Sequence, residues 1–247
     1  MSAPFYHRLK EHLPSWIRNS LSRLNQLFFA RQTLRRKYGS WFEVDWRKKF
    51  SNLSDEEWKR AYDTAWQHRK NDCVEETDTM LFLDSLRDSG TILDVGCGIG
   101  TLAMALAEAG HQIIGVDVSA EALRQAGARS RERRLSIEWK EGFAEHLPFP
   151  DKSVDAIVCA HTLEHVKDLG SVAREFRRVA RRKILVLTPK QRYKTYMDNY
   201  HTQFFDTQKK LVEVFGLPRY TCSEIDCTDH KNEFQGKAWF YVGSLDA

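Results

Sequence analysis

No run of eighteen apolar residues occurs in this 247-residue chain, so no segment has the length and hydropathy of a membrane-spanning helix. The start of the chain, with Pro4, His7, Arg8 and Lys10, is polar, and no apolar signal-peptide core follows it; the expectation is a cytoplasmic protein. Cysteine is scarce and odd in number. Cys73, Cys97, Cys159, Cys222 and Cys227 form neither a CxxC pair nor a zinc spacing, which predicts reduced and mostly buried thiols. Internal repeats and low-complexity tracts are absent, so the chain is not a repeat array. Acid is almost missing from residues 1–40, where Glu11 stands against eight basic residues (Arg8, Lys10, Arg18, Arg23, Arg31, Arg35, Arg36, Lys37) while the whole chain carries only +4. The basic character belongs to an N-terminal appendage.

What is present is an α/β pattern with enough apolar content, 42%, for one full domain and an appendage. In the appendage, Ile17, Leu21, Leu24, Leu27, Phe28, Leu34 and Tyr38 recur at helical spacing with arginines on much of the other face. A helix over 15–38 of this kind packs on the rest of the chain, docks on an anionic membrane surface or a protein, or, less readily, meets nucleic acid. Trp41, Phe42 and Trp46 follow. Ser54 and Glu57 then form a capping box opening a helix whose stripe is Trp58, Tyr62, Ala65 and Trp66. Such a stripe is either core or a lid over a site.

From Thr79 onward helices and strands alternate: helix 79–87, a strand to Val95, helix 101–109, strand 112–117, helix 119–130, strands 135–140 and 154–160, helix 168–180, strand 183–188, helix 205–215, and strand candidates 220–226 and 238–244. Alternation predicts a parallel sheet with right-handed crossovers. Ile92-Leu93-Asp94-Val95-Gly96-Cys97-Gly98-Ile99-Gly100 reads as strand, glycine turn and helix start, where bare backbone faces a ligand. Its GxGxG spacing differs from the dinucleotide pattern GxGxxG. Strand 112–117 ends in Asp117, an acid suited to both hydroxyls of a ribose.

Together, LDVGCGIGTLAMALAEAGHQIIGVDVS and EGFAEHLPFPDKSVDAIVCAHTLEHV resemble the class I S-adenosylmethionine-dependent methyltransferases, across roughly residues 81–189. The resemblance implies a Rossmann-like three-layer sandwich: a seven-stranded, mostly parallel sheet with an antiparallel last strand, plus the N-terminal helical appendage. It divides the chain into a helical extension and candidate lid, 1–76, and a methyltransferase domain, 77–247. It also implies S-adenosylmethionine as cofactor, leaving as S-adenosylhomocysteine, at Asp94, Gly96, Cys97, Gly98, Gly100, Asp117, Val118, Phe143, Ala144 and Ala160. Phe143 departs from the family, which commonly places an aspartate there for the adenine amino group.

His161, Glu164 and His165 share one side of a turn. Ubiquinone-biosynthesis and small-RNA 2′-O-methyltransferases are similar here, with a Glu-x-x-Glu-His block that binds a divalent cation and, in the RNA enzymes, a further histidine resembling His201. His161, Glu164, His165 and His201 are therefore candidate metal ligands, although metal-free methyltransferases share Leu-Glu-His-Val. Imidazole titrates near neutrality, so His161 and His201 are candidate bases for the acceptor proton, with His165 behind them because its turn can point it inward. Lys190, Arg192 and Tyr196 are candidate contacts for an anionic or sugar-bearing acceptor. The expected function is methyl transfer to oxygen or nitrogen of a small-molecule or glycan- or lipid-linked acceptor. Metal-dependent RNA 2′-O-methylation and a non-catalytic cofactor-binding module are the alternatives.

Overall fold

A computed structural model describes residues 52–69, 71, 73–193, 200–228 and 236–246. The basic helix expected over 15–38, the aromatics Trp41, Phe42 and Trp46, and Tyr196 lie outside them. The elements are α1 (Asp55–His68), α2 (Glu76–Leu86), β1 (Thr91–Val95), α3 (Thr101–Glu108), β2 (Gln112–Asp117), α4 (Ala120–Glu132), β3 (Glu138–Glu141), β4 (Val154–Ala160), a 3-10 turn (Leu163–His165), α5 (Leu169–Val179), β5 (Ala180–Pro189), α6 (Gln208–Phe215), β6 (Arg219–Asp226) and β7 (Lys237–Ser244).

One seven-stranded sheet runs in the order β3-β2-β1-β4-β5-β7-β6. Strands β1 to β5 pair in parallel, and β7 is antiparallel to both β5 and β6. This is the expected mostly parallel sheet with an antiparallel last strand. The β1 and β4 strands are mostly apolar and buried because helices cover both faces. On one face Leu93, Ile157 and Val186 pack with Phe176 of α5 and Phe215 of α6. On the other, Ile92, Val158 and Leu187 pack with Phe82 of α2 and Leu106 of α3. Fully burying one such side chain contributes about 1.5–3 kcal/mol, so the three layers are held chiefly by these two cores.

Several boundaries differ from expectation, three of them for a plain local reason. Strand β3 starts at Glu138 rather than 135 because Arg134 takes a left-handed φ of 58° and the Leu135 N–H returns to the Ser130 carbonyl at 2.9 Å. That closes α4 in a Schellman-type turn. Helix α6 starts at Gln208, since the Thr207 side chain caps it and Phe205 pairs in a bridge with Lys190 instead. Strand β5 extends back to Ala180, which pairs with Val154.

The capping box is present: the Ser54 hydroxyl accepts from the Glu57 N–H and the Glu57 carboxylate from the Ser54 N–H. Helix α1 lies across the carboxyl end of the sheet. Near its start, Lys167 reaches the Leu53 carbonyl at 2.9 Å and Asp55 at 3.2 Å, and Lys59 pairs with Glu141 at 2.6 Å. Toward its end Trp66 packs on Ile99 and Ala122. The described end of the expected extension is thus part of the domain's packing.

Candidate active site

A cleft of about 640 Å³, open mouth included, lies at the carboxyl end of the parallel strands between the sheet and α1. In open α/β sheets this is where ligands bind. One wall is built by the loop after β1, whose glycines all take positive φ: 73° at Gly96, 54° at Gly98 and 80° at Gly100. The Gly96 and Cys97 N–H groups donate to the Val116 carbonyl at 2.7 and 3.0 Å, so the loop is fastened to β2.

The glycines are needed for more than a ligand's approach. A Cβ on Gly96 would lie 2.2 Å from the Thr162 hydroxyl, and one on Gly100 would lie 2.5 Å from the Trp139 indole. Trp139 also takes up the space beside Gly115 on β2, and its Nε1 donates to Ser130 Oγ at 3.2 Å. Gly100 therefore serves side-chain packing, because its bare face is turned to Trp139. Gly96 both borders the cleft and admits Thr162.

Asp117 is nearly buried, at 7% exposure. Its Oδ2 accepts from the Gly98 N–H and its Oδ1 from the Ser119 N–H, each at 2.9 Å. Two backbone bonds to a carboxylate fix its orientation at the cleft wall.

Of the residues expected to meet the cofactor, Gly96, Asp117, Val118, Phe143 and Ala144 line the cleft. Asp94, Cys97, Gly98, Gly100 and Ala160 are not on its wall; they shape the strand ends and the loop behind it. Asp94 is buried within β1, between Gly115 and Val158. Phe143 stacks on His146 at 5.0 Å and has the Lys59 ammonium 5.7 Å from its ring. The opposite wall comes from α1, whose Trp58, Tyr62 and Trp66 face the cleft with Arg69 just past the helix end. The stripe read as core or lid does both, since Trp58 and Trp66 are also buried.

The third wall holds the histidines. His161 directly follows β4 with a φ of 52°, a conformation rare for a side-chain-bearing residue and common at functional sites. Its N–H is held by the Leu187 carbonyl at 2.8 Å. Its Nδ1 lies 3.6 Å from Glu164 Oε1, and Glu164 Oε2 accepts from the Thr188 hydroxyl at 3.0 Å. Burial pushes the Glu164 carboxyl up, but contact with His161 and the rings of His165 and His201 outweigh it and hold it at about 2. Glu164 is a buried carboxylate. Burial shifts His165 the other way, below the ordinary histidine value and against the pull of Glu164, so its ring is neutral at neutral pH. Burial, then the charges of Asp117, Glu164 and Glu145, hold the Tyr62 phenol far above its ordinary value.

His161 and His165 line the cleft. His201, expected beside His161, stands behind His165: the two rings meet edge to face at 4.8 Å, and His201 Nδ1 contacts Gln191 Oε1 at 2.6 Å. The 3-10 turn presents His165 to the cleft. Lys190 is engaged by Glu224 and lies over the Trp239 ring at 4.8 Å, and Arg192 is exposed. Thr162, Trp139 and Asp63 carry no local mark in the sequence, because they act on Gly96, on Gly100 and Gly115, and on Ser119, all distant in the chain; Arg69, also unmarked, meets the nearby Trp66 ring and Cys73.

Glu164, His165 and His201 offer ligand atoms within 4.8 Å of one another. The buried Nδ1 of His165 has no hydrogen-bond partner, so the set fits a divalent cation chemically.

A family model described as "Methyltransferase domain" matches residues 93–187. Among curated proteins, "Uncharacterized methyltransferase YcgJ" of Bacillus subtilis (strain 168) is 33% identical over 106 residues, 42% of each chain. A "Ubiquinone biosynthesis O-methyltransferase" of Ralstonia nicotianae is 40% identical over 84 residues, 34% of this chain and 35% of the relative. The chain thus spans well under half the length of these curated relatives. The crystal structure of the Bacillus YcgJ protein superposes with a TM-score of 0.55 at 18% identity, covering 69% of this chain and 98% of that one. The likeness shows a shared Rossmann-like fold. Among the described residues no helix is long and apolar enough to cross a membrane.

Proposed function

We propose, for a chain that carries a class I S-adenosylmethionine-dependent methyltransferase domain over residues 93–187, that the cleft transfers a methyl group from S-adenosylmethionine to a hydroxyl oxygen of a small molecule. The observation that carries the reading is the Asp117 carboxylate, locked by two backbone N–H groups where β2 opens into a cleft shared with neutral His165. When bound, S-adenosylmethionine supplies a methyl made electrophilic by its sulfonium.

The chain's residues do the rest. Asp117 would accept from the ribose hydroxyls, Val118 and Phe143 would flank the base, and the backbone at Gly96 would face the amino-acid portion. Trp58, Tyr62 and Trp66 press a flat, apolar acceptor toward the sheet and exclude water. In-line displacement requires the acceptor oxygen within about 3 Å of the methyl carbon. Transfer would form the new C–O bond while the C–S bond breaks, its electron pair passing to the sulfur. His165 then takes the hydroxyl proton, with His161 as the second imidazole on the wall. The relative named as a ubiquinone biosynthesis O-methyltransferase supports oxygen as the atom methylated.

Calorimetry with S-adenosylhomocysteine tests the cofactor assignment, and a methyl-transfer screen of phenols and quinols against amines and glycans tests the acceptor. Absence of cofactor binding would remove the whole reading, whereas transfer only to amines or glycans would remove the acceptor class. A second reading rests on the grouping of Glu164, His165 and His201. A divalent cation held there would acidify an acceptor hydroxyl, as in RNA 2′-O-methylation. It requires turnover to vanish with chelator and return with the added ion.

A further inference from the structure

The strongest connection that the proposed mechanism does not use runs from the roof helix to the ribose-side carboxylate. Asp63 lies midway along α1, and its Oδ1 accepts from the Ser119 hydroxyl at 2.6 Å and from the Glu121 N–H at 3.1 Å. Ser119 is fully buried. Its hydroxyl caps α4 by accepting from the Ala122 N–H at 3.1 Å, and its own N–H holds Asp117 Oδ1 at 2.9 Å. Asp117 Oδ2 in turn holds the Gly98 N–H. One continuous set of bonds therefore leads from α1 through Ser119 and Asp117 to the glycine loop.

Two physical features make this linkage directional. The Asp63 carboxylate sits at the amino end of the 13-residue helix α4, where exposed N–H groups and the helix dipole favour negative charge. Ser119 has one hydroxyl proton and spends it on Asp63. If α1 lifts, Ser119 loses its acceptor and the start of α4 loses an anion, at the turn that orients Asp117. A separate tie, Gln125 Nε2 to the Trp66 carbonyl at 3.0 Å, also fastens α1 to α4 without touching Ser119 or Asp117.

We propose that Asp63 is a positioning residue that couples seating of α1 over the cleft to cofactor binding, by fixing Ser119 and through it the Asp117 carboxylate. The inference rests on the reading of the cleft as an S-adenosylmethionine site. Reciprocity follows: whatever α1 seating adds to cofactor affinity, bound cofactor returns as protection of α1.

The test uses the full chain and S-adenosylhomocysteine. In the wild type, cofactor should slow amide exchange across Asp55–His68. In Asp63→Ala, affinity should fall about tenfold, with kcat at saturating cofactor changed much less, and cofactor should no longer protect α1. Asp63→Glu should restore part of the affinity. Gln125→Ala loosens α1 by the other route and serves as comparison. If it lowers affinity as much as Asp63→Ala, simple loosening accounts for the effect and the Ser119 route is excluded. Unchanged affinity in Asp63→Ala, with that variant folded by circular dichroism, would also overturn the proposal. Failure of the wild type to bind cofactor at all would instead overturn the cofactor reading beneath it.

Discussion

Tyr62 of the roof helix and His165 of the turn after β4 meet edge to face, ring centroids 6.1 Å apart at 88°. The contact packs α1 against a half-buried imidazole on the cleft wall. It also accounts for the lowered His165 value, since the helix packed on the ring removes solvent an imidazolium would need.

His165 should therefore set the acidic limb of turnover. A histidine with a depressed folded value binds its proton later on acidification than in the unfolded chain, so it stays a competent base somewhat below pH 6.5, its ordinary value. The kcat profile should hold down to that pH and fall below it. His165→Gln should lower kcat by about 10²–10⁴-fold, and His201→Gln by less. An acidic limb above pH 7, or an unaffected His165 variant, would remove His165 as the base.

Glu164 gives the fold its own acid dependence. Its carboxyl is held at about 2 against an ordinary value of 4.5, so its contribution to stability is complete above 4.5 and is lost as pH falls through 2. The contribution is on the order of 3 kcal/mol. Urea midpoints measured from pH 6 to pH 2 should decline over that window in the wild type. Glu164→Gln should start lower at pH 6 and decline less steeply. Parallel curves would contradict the assignment.

Asp117→Asn should weaken S-adenosylhomocysteine binding. An amide in place of the carboxylate presents N–H toward one of the two backbone donors at Gly98 and Ser119 and loses charge where the ribose hydroxyls donate. Hydrogen bonds to a charged group contribute about 1.5–3 kcal/mol, so the Kd should rise by about 10- to 100-fold. Calorimetry decides it, and an unchanged Kd would separate Asp117 from the cofactor.

Gly96 and Gly110 both hold positive φ, 73° and 94°, but only Gly96 faces a neighbour: Thr162 stands where its Cβ would be, whereas nothing lies within 4 Å of a Cβ on Gly110. Gly110→Ala should lose about 1–2 kcal/mol to backbone conformation alone. Gly96→Ala should lose more, because the steric clash is added. Equal losses in urea titrations would mean that Thr162 moves aside without cost.

The alternating elements were legible because each rests on a short-range period. The apolar run Ile92–Val95, the glycines after it and the capping box at Ser54 all appear as expected. Legibility failed where a backbone choice had no side-chain marker: Arg134 adopts the left-handed conformation that usually announces itself as glycine, and β3 began later in consequence.

The candidate site divides along the same line. The chain's own order of residues determined the sheet, the cleft's position beyond the carboxyl ends of its strands, and Asp117 at the tip of β2, since periodicity and turn chemistry act over a few residues. Which histidine faces the cleft, which glycine makes room for Trp139, and that Asp63 reaches Ser119 across 56 positions were decided only when the layers packed. Those contacts join residues remote along the chain. They exist because side chains must fill space and buried polar groups must find partners after the backbone has been placed.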